Sequence, residues 1–216
     1  MSQSLEIVSN QPGVHERLQE VVTKHLQQPF LKPISPHTQE VFDRLSRLVL
    51  SMNKPVVLDS CCGVGESTQR LAQRHPDCFV VGLDKSAHRL ARHGGDPAVN
   101  YCLERVDLND FWRLVADANW PIKAHYLLYP NPWPKSKHLQ RRWHGAPVFP
   151  YLLKMGGVIE LRSNWKIYLD EFQQALLLAG IDAAVSPFTI QEPLTPFERK
   201  YQQSGHQIWR LTANLG

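Results

Sequence analysis

Along this chain the apolar positions switch repeatedly between a helical period and short continuous runs. Ser35-Pro36 has the form of a helix N-cap followed by proline at the first helical position. Val41, Phe42, Leu45, Leu48 and Val49 then recur at helical spacing up to about Met52. Pro55 to Asp59 is apolar without alternation, the pattern of a strand covered on both faces. From there the pattern predicts a helix over about 65–75, a strand over Cys78–Asp84, a helix over about 86–93, a strand over Asn100–Val106 and a helix over about 108–117. A strand over His125–Tyr129, another over Gly157–Arg162, a helix over about 165–179 and two late strands near 181–187 and 206–213 complete the series. Such alternation predicts an α/β protein of Rossmann-like type, a mostly parallel sheet with helices on both faces. Residues 1–54 are expected to form an irregular, polar arm and a first helix belonging to the same domain as the core over 55–216.

Composition narrows the setting. A chain of 216 residues, 43% hydrophobic, is long enough to bury roughly 70% of its unfolded surface in one domain. Cys61, Cys62, Cys78 and Cys102 have no C-x-x-C spacing and no disulfide framework, so reduced thiols are expected. No signal-like start and no 18-residue apolar run is present, which predicts a soluble, cytoplasmic protein without membrane attachment. The histidines, His138 and His144 among them, lack the spacing of a metal site, and no metal is expected.

In open α/β sheets, ligands bind beyond the carboxyl ends of the strands, so the strand-to-helix loops are the places to search. The first reads VVLDSCCGVGEST: Gly63 and Gly65, beside Cys61, permit close backbone approach to a ligand at a helix N-terminus. The next strand ends at Asp84, about 20 residues on, where a carboxylate can accept two hydrogen bonds from a ribose diol. A tight turn with a surface aspartate is the plainer alternative for two glycines and an acid. Three acids at successive strand ends, Asp59, Asp84 and Asp107, argue against it. Asp59 would repel a pyrophosphate but can pair through water with a cationic amino acid, and Asp107 can accept from an adenine amino group. The third glycine of the dinucleotide pattern is replaced by Ser67 or Thr68. S-adenosylmethionine, cationic and without phosphate, fits this set better than a nicotinamide dinucleotide.

Charge is concentrated in one place. YPNPWPKSKHLQRRWHG, Tyr129 to Gly145, carries Lys135, Lys137, Arg141 and Arg142 and no acid. These four account for the net charge of +4, because the remaining 20 basic residues equal the 20 acidic ones. A local anionic partner is indicated, with a solvated helix face as the alternative. Trp133 and Trp143 can stack on bases or belong to the core.

Within that stretch, PNPWPKSKHLQRRWH resembles the P-D-P-W-x-K-x-x-H-x-x-R-R signature of the bacterial tRNA (guanine-N7)-methyltransferases, the TrmB family. Ser163-Asn164-Trp165 followed by Tyr168 is similar to that family's T-D-W-x-x-Y. Thr195-Pro196-Phe197-Glu198-Arg199-Lys200, with Gly205 beyond, resembles its T-x-F-E-x-[KR] close. The resemblance runs from about Pro55 to Leu211 and implies a class I methyltransferase sheet of seven strands with the last antiparallel. It implies further that Asp59, Asp84 and Asp107 hold S-adenosylmethionine and that Asn131 occupies the catalytic, cofactor-contacting position. Lys135 would contact substrate, Lys137 to Arg142, including His138 and Arg141, would contact RNA, and Asn164 and Thr195 to Glu198 would bind the substrate. Glu198 offers an acceptor for the N1 and N2 edge of guanine.

Two departures matter. Both family aspartates, in P-D-P-W and T-D-W, are asparagine here, Asn131 and Asn164. Guanine N7 is a lone-pair nucleophile without a proton, so its methylation requires placement more than a base. An asparagine can place a base, but it supplies no negative charge to a developing cation. Asn-Pro followed by an aromatic also resembles the motif with which amino-methylating enzymes hold their target nitrogen. The leading expectation is therefore a tRNA (guanine-N7)-methyltransferase acting as a monomer or weak homodimer. The alternatives are a same-fold enzyme for an exocyclic or small-molecule nitrogen and a non-catalytic RNA- or cofactor-binding protein.

Overall fold

The computed structural model describes residues 7–95 and 100–216; the first six residues of the expected arm lie outside them. Seven strands form one sheet in the order β3-β2-β1-β4-β5-β7-β6: β1 Val56–Ser60, β2 Phe79–Asp84, β3 Tyr101–Arg105, β4 Ile122–Leu128, β5 Val158–Ser163, β6 Ala183–Phe188 and β7 Ile208–Asn214. β1 pairs in parallel with β2 and β4, β2 with β3, and β4 with β5, whereas β7 runs antiparallel to both β5 and β6. The chain first builds leftward from β1 and then restarts on its right at β4. A crevice must open at that reversal, beyond the strands' carboxyl ends.

The unalternating apolar strands follow from cover on both faces. In β1, Val56 and Leu58 face the larger core, while Val57 joins a smaller one with Leu71, Ala72, Val80 and Leu128. The larger core takes side chains from α1 (Leu18–Gln27), α2 (Pro36–Met52), α5 (Leu108–Ala118), α6 (Phe149–Lys154) and α7 (Lys166–Leu178). Each fully buried Leu or Phe there contributes about 1.5–3 kcal/mol relative to exposure. α3 (Glu66–Arg74) covers the opposite face. α2 starts where the sequence indicates, with the Ser35 hydroxyl accepting from the Thr38 N–H.

Several elements differ from the expected pattern. Residues 18–27 are helical rather than irregular, because Leu18, Val21 and Val22 fall on one face and are buried against the core, too short an apolar pattern to stand out among polar neighbours. The helix expected over about 86–93 is reduced to α4, Ala87–Leu90, which has no buried residue to stabilise a longer one. α6 and α8 (Pro196–Gln203) were not among the expected elements, and β4 begins three residues earlier, at Ile122. The basic stretch forms two 3-10 turns, Ser136–Arg141 and Trp143–Gly145, in place of a regular helix face.

Candidate active site

At the reversal point lies a cavity of about 570 Å³, walled by the loops after β1, β2, β4 and β5 and by the start of α8. The structure brings Cys61, Gly63, Asp84, Asn131, Asn164 and Thr195 together in its lining. Three non-glycine residues in the left-handed backbone region mark it: Cys61 (φ 65°) and Tyr129 (φ 55°) line it, and Trp133 (φ 47°) closes the loop around Asn131. Such backbone costs on the order of 1–3 kcal/mol per residue and persists where surrounding structure imposes it.

After β1 the chain turns through Cys61 and Gly63 into α3. The Gly63 N–H donates to Asp84 Oδ2 at 3.0 Å, fastening this loop to the end of β2. A Cβ added at Gly63 would meet nothing within 4 Å, so the missing side chain leaves open space beside the cavity. Gly65 has a packing role instead: a Cβ there would stand 2.4 Å from the Leu103 side chain. The absent third glycine is also explained by packing, because close helix-to-strand approach occurs at Gly82, where a Cβ would come 2.2 Å from Thr68 Oγ1. Burial pushes the Cys61 thiol up to about 12, so it stays protonated.

Of the three strand-end acids only Asp84 lines the cavity. Asp59 is fully buried one layer behind, with Oδ2 accepting from the Ser67 and Thr68 hydroxyls at 2.6 and 2.7 Å and Oδ1 without a partner among the described residues. Burial outweighs those two hydrogen bonds and raises its carboxyl to about 6. Asp107 caps α5 by accepting from the Asn109 N–H at 3.0 Å, and its other oxygen takes Lys85 at 3.0 Å. Both oxygens are engaged in this structure, and Asp107 lies outside the cavity lining.

At the other end, Asn131 accepts from the Trp133 N–H at 3.4 Å, and Asn164 Nδ2 lies 3.2 Å from His206 Nδ1. Thr195 caps α8 through the Glu198 N–H. Glu198 itself does not reach the cavity. It is fully buried, with one oxygen on Tyr129 Oη and Arg162 Nη1 at 3.0 and 2.7 Å and the other on the Leu194 N–H at 2.6 Å. Burial and this carboxylate push the Tyr129 phenol far above its ordinary range.

The basic stretch divides. Lys135, Lys137 and Arg141 are exposed, His138 is half-buried edge-on to Trp133, and Arg141 stacks 4.7 Å above that indole. Arg142, expected at the RNA, is fully buried. Its guanidinium donates to Glu171 at 2.5 Å, to Gln11 at 3.0 Å and to the carbonyls of Trp133 and Lys135. His144 Nε2 lies 2.9 Å from the same Glu171 oxygen. Burial favours protonating Glu171, but the bonds from His144 and Arg142 outweigh it and hold the carboxyl at about 2. Arg142 therefore pins the Asn131 loop to α7 and to the N-terminal arm, where Ser9 Oγ also donates to Pro134 O at 2.6 Å. Trp143 packs on Trp112 at 4.6 Å, as a core residue.

Sequence reasoning missed Ile7, Arg89, Arg92, Tyr129 and Tyr201 in the lining, whereas Phe197 falls within the expected run from Thr195 to Glu198. Tyr201 had a signal in the segment that follows Glu198. Arg89 had none, since only the fold of the short α4 brings it to Asp84.

A seven-stranded open α/β sheet with a glycine-turned first loop, an acid ending β2 and a ligand-sized crevice at the reversal point defines a protein of the class I methyltransferase fold. The sequence model of the family described as "Putative methyltransferase" matches residues 53–211, and the chain belongs to that family. Among curated relatives, a tRNA (guanine-N(7)-)-methyltransferase of Methylobacillus flagellatus is 27% identical over 188 residues, covering 82% of this chain and 78% of that protein. Another of that name from Actinobacillus succinogenes is 29% identical, covering 74% and 69%. Among solved structures, the antibiotic-resistance methyltransferase Kmr superposes with a TM-score of 0.55 at 18% identity, over 87% of this chain and 96% of that one. The 16S rRNA methyltransferase KamB gives a TM-score of 0.56 at 18% identity, over 85% and 94%. At these identities the two structures speak for the fold alone.

Proposed function

We propose that this protein is an S-adenosylmethionine-dependent tRNA (guanine-N7)-methyltransferase of the cytoplasm. Its working form in this reading is a monomer or weak homodimer. Relatives named for that activity align over most of both chains. The observation that carries the choice of N7 is chemical. Around Asn131 the lining offers only neutral groups, Tyr129, Ser163, Asn164 and Thr195. Among the described residues no histidine, lysine or glutamate lines the cavity, and the one acid there, Asp84, sits at the opposite end in three residues' hydrogen bonds. A site without a group poised to take a proton suits a nucleophile that has none to lose.

The residues fit this cofactor. Asp59 Oδ1 is a buried acceptor without a partner among the described residues, suited to a cationic amino acid through water, and Gly63 leaves room for close approach. Asp84 supplies the acceptor for a ribose diol. When bound, S-adenosylmethionine would supply a methyl group carried on a sulfonium. Asn131 positions the base from a loop held by Arg142, while Lys135, Lys137 and Arg141 contact RNA phosphates. Phe197, 55% exposed at the cavity rim and stacked on Tyr201 at 24°, offers an apolar face to a base.

One feature favours a second reading, methylation of an exocyclic amine: Asn131 and Asn164 replace the two aspartates, and an amide oxygen accepts from an amine. Incubation with labelled S-adenosylmethionine and bulk tRNA, followed by mass spectrometry of the nucleosides, separates the two. We expect 7-methylguanosine. An exocyclic N-methyl nucleoside would replace the first reading by the second.

A further inference from the structure

Asp84 already has a basic partner. Its Oδ1 accepts from the Ser86 N–H at 2.7 Å and from both Nε and Nη2 of Arg89, at 3.2 and 2.9 Å, while Oδ2 accepts from the Gly63 N–H. Three donors on Oδ1 exceed its two lone pairs. A ribose diol donating to both carboxylate oxygens needs room on Oδ1, and the Ser86 N–H is backbone and cannot leave. The Arg89 side chain can. It is 54% exposed, on a four-residue helix with no buried residue, and it lines the same cavity as Arg92.

We propose that Arg89 is a latch: a nucleoside's ribose displaces it from Asp84, and the released guanidinium then joins Arg92 at the cavity rim as a contact for an RNA phosphate. The Asp84–Arg89 pair thereby couples the two ligands. With the cofactor absent, Arg89 is held on the carboxylate and is withheld from RNA. With RNA bound, Arg89 is drawn outward and the carboxylate is open to the ribose. Linkage requires each ligand to tighten the other by the same factor. That factor is limited by the fraction of molecules in which the carboxylate is free, because affinity is reduced by the fraction that is competent.

This inference rests on the cofactor reading above, and its test keeps the two separable. Calorimetry with S-adenosylhomocysteine, with and without bulk tRNA, is carried out on the full chain and on Arg89→Ala and Arg89→Lys. The parent is expected to bind tRNA more tightly when S-adenosylhomocysteine is present. Arg89→Ala is expected to bind S-adenosylhomocysteine about 3- to 10-fold more tightly without tRNA, since no latch has to be displaced, and to show no coupling. Arg89→Lys, which keeps the charge but not the paired donors, is expected to fall between. Failure of the parent to bind S-adenosylhomocysteine would overturn the cofactor reading and the latch together. Parent binding combined with weaker or unchanged binding by Arg89→Ala, or with coupling retained in that variant, would overturn the latch alone.

Discussion

The two ends of the crevice are built on opposite electrostatic plans. The end after β1 and β2 is charged, with Asp84 in the lining, Asp59 buried behind it and Arg89 across the mouth. The end after β4 and β5 is neutral in its lining, and its charges, Arg142 with Glu171 and Arg162 with Glu198, are buried behind the wall in mutually satisfying pairs. The first end can recognise a charged ligand directly. The second holds a loop of strained backbone in shape while presenting only amides, hydroxyls and aromatic faces. A buried pair does that job through geometry more than through net stability, since desolvation offsets much of its attraction.

Removing a hidden charge should break the neutral end most severely. Arg142→Ala leaves Glu171 buried without its guanidinium and frees the Trp133 and Lys135 carbonyls, and is expected to lose about 3–5 kcal/mol in denaturant unfolding. Arg141→Ala, one residue away and exposed, should stay within about 0.5 kcal/mol of the parent. Equal losses would mean that the two arginines are not divided between structure and surface.

Placing charge in the neutral end is the next largest change. Asn131→Asp is expected to raise turnover on guanine, by up to about 100-fold, because one preorganised electrostatic contact beside a developing cation contributes a few kcal/mol. Initial rates and product identity on one tRNA pool measure it. A fall in rate with an exocyclic product would show that the amide itself holds the target.

At the charged end, pH is the probe. Burial raises Asp59 to about 6, so the folded chain holds its proton more tightly than the unfolded one. The stability this group contributes is therefore present below the ordinary carboxylate range and is lost as pH rises through about 6. A cationic ligand served by Asp59 needs the ionised form, so S-adenosylhomocysteine affinity is expected to fall below pH 6, by up to about tenfold per unit. Asp59→Asn should flatten that profile in calorimetry. The smallest effect belongs to the outer surface. Lys135, Lys137 and Arg141 changed together to Ala should reduce the salt slope of tRNA binding by about 0.7–0.9 for each phosphate that no longer has a cation beside it. An unchanged slope would leave this surface merely solvated.

Much of this was legible in the sequence. Runs such as VVLD and FVVGLD can be strands only if covered on both faces, so the order of elements and the sheet class followed from local periodicity. The strand-end loops with Gly63, Asp84 and Asn131 followed from the same reading, because a strand's carboxyl end fixes where its loop opens. The short apolar face of α1 and the brief α8 did not, since α1 owes its helix to the burial of three side chains and α8 to its Thr195 cap rather than to a long periodic pattern.

What tertiary structure alone decided is the direction of each charge. Arg141 and Arg142 are indistinguishable as sequence, yet Glu171 and Gln11, 29 and 131 residues from Arg142, draw one of them inward. Glu198 belongs to Arg162, 36 residues away, and Asp107 to its own helix cap. Asp84 is shared with an arginine that only a short solvated helix brings within reach. Hydrophobic periodicity is local because strand and helix geometry repeat along the chain. A buried ionic group must find its partner wherever the fold places one, and that distance in sequence is arbitrary.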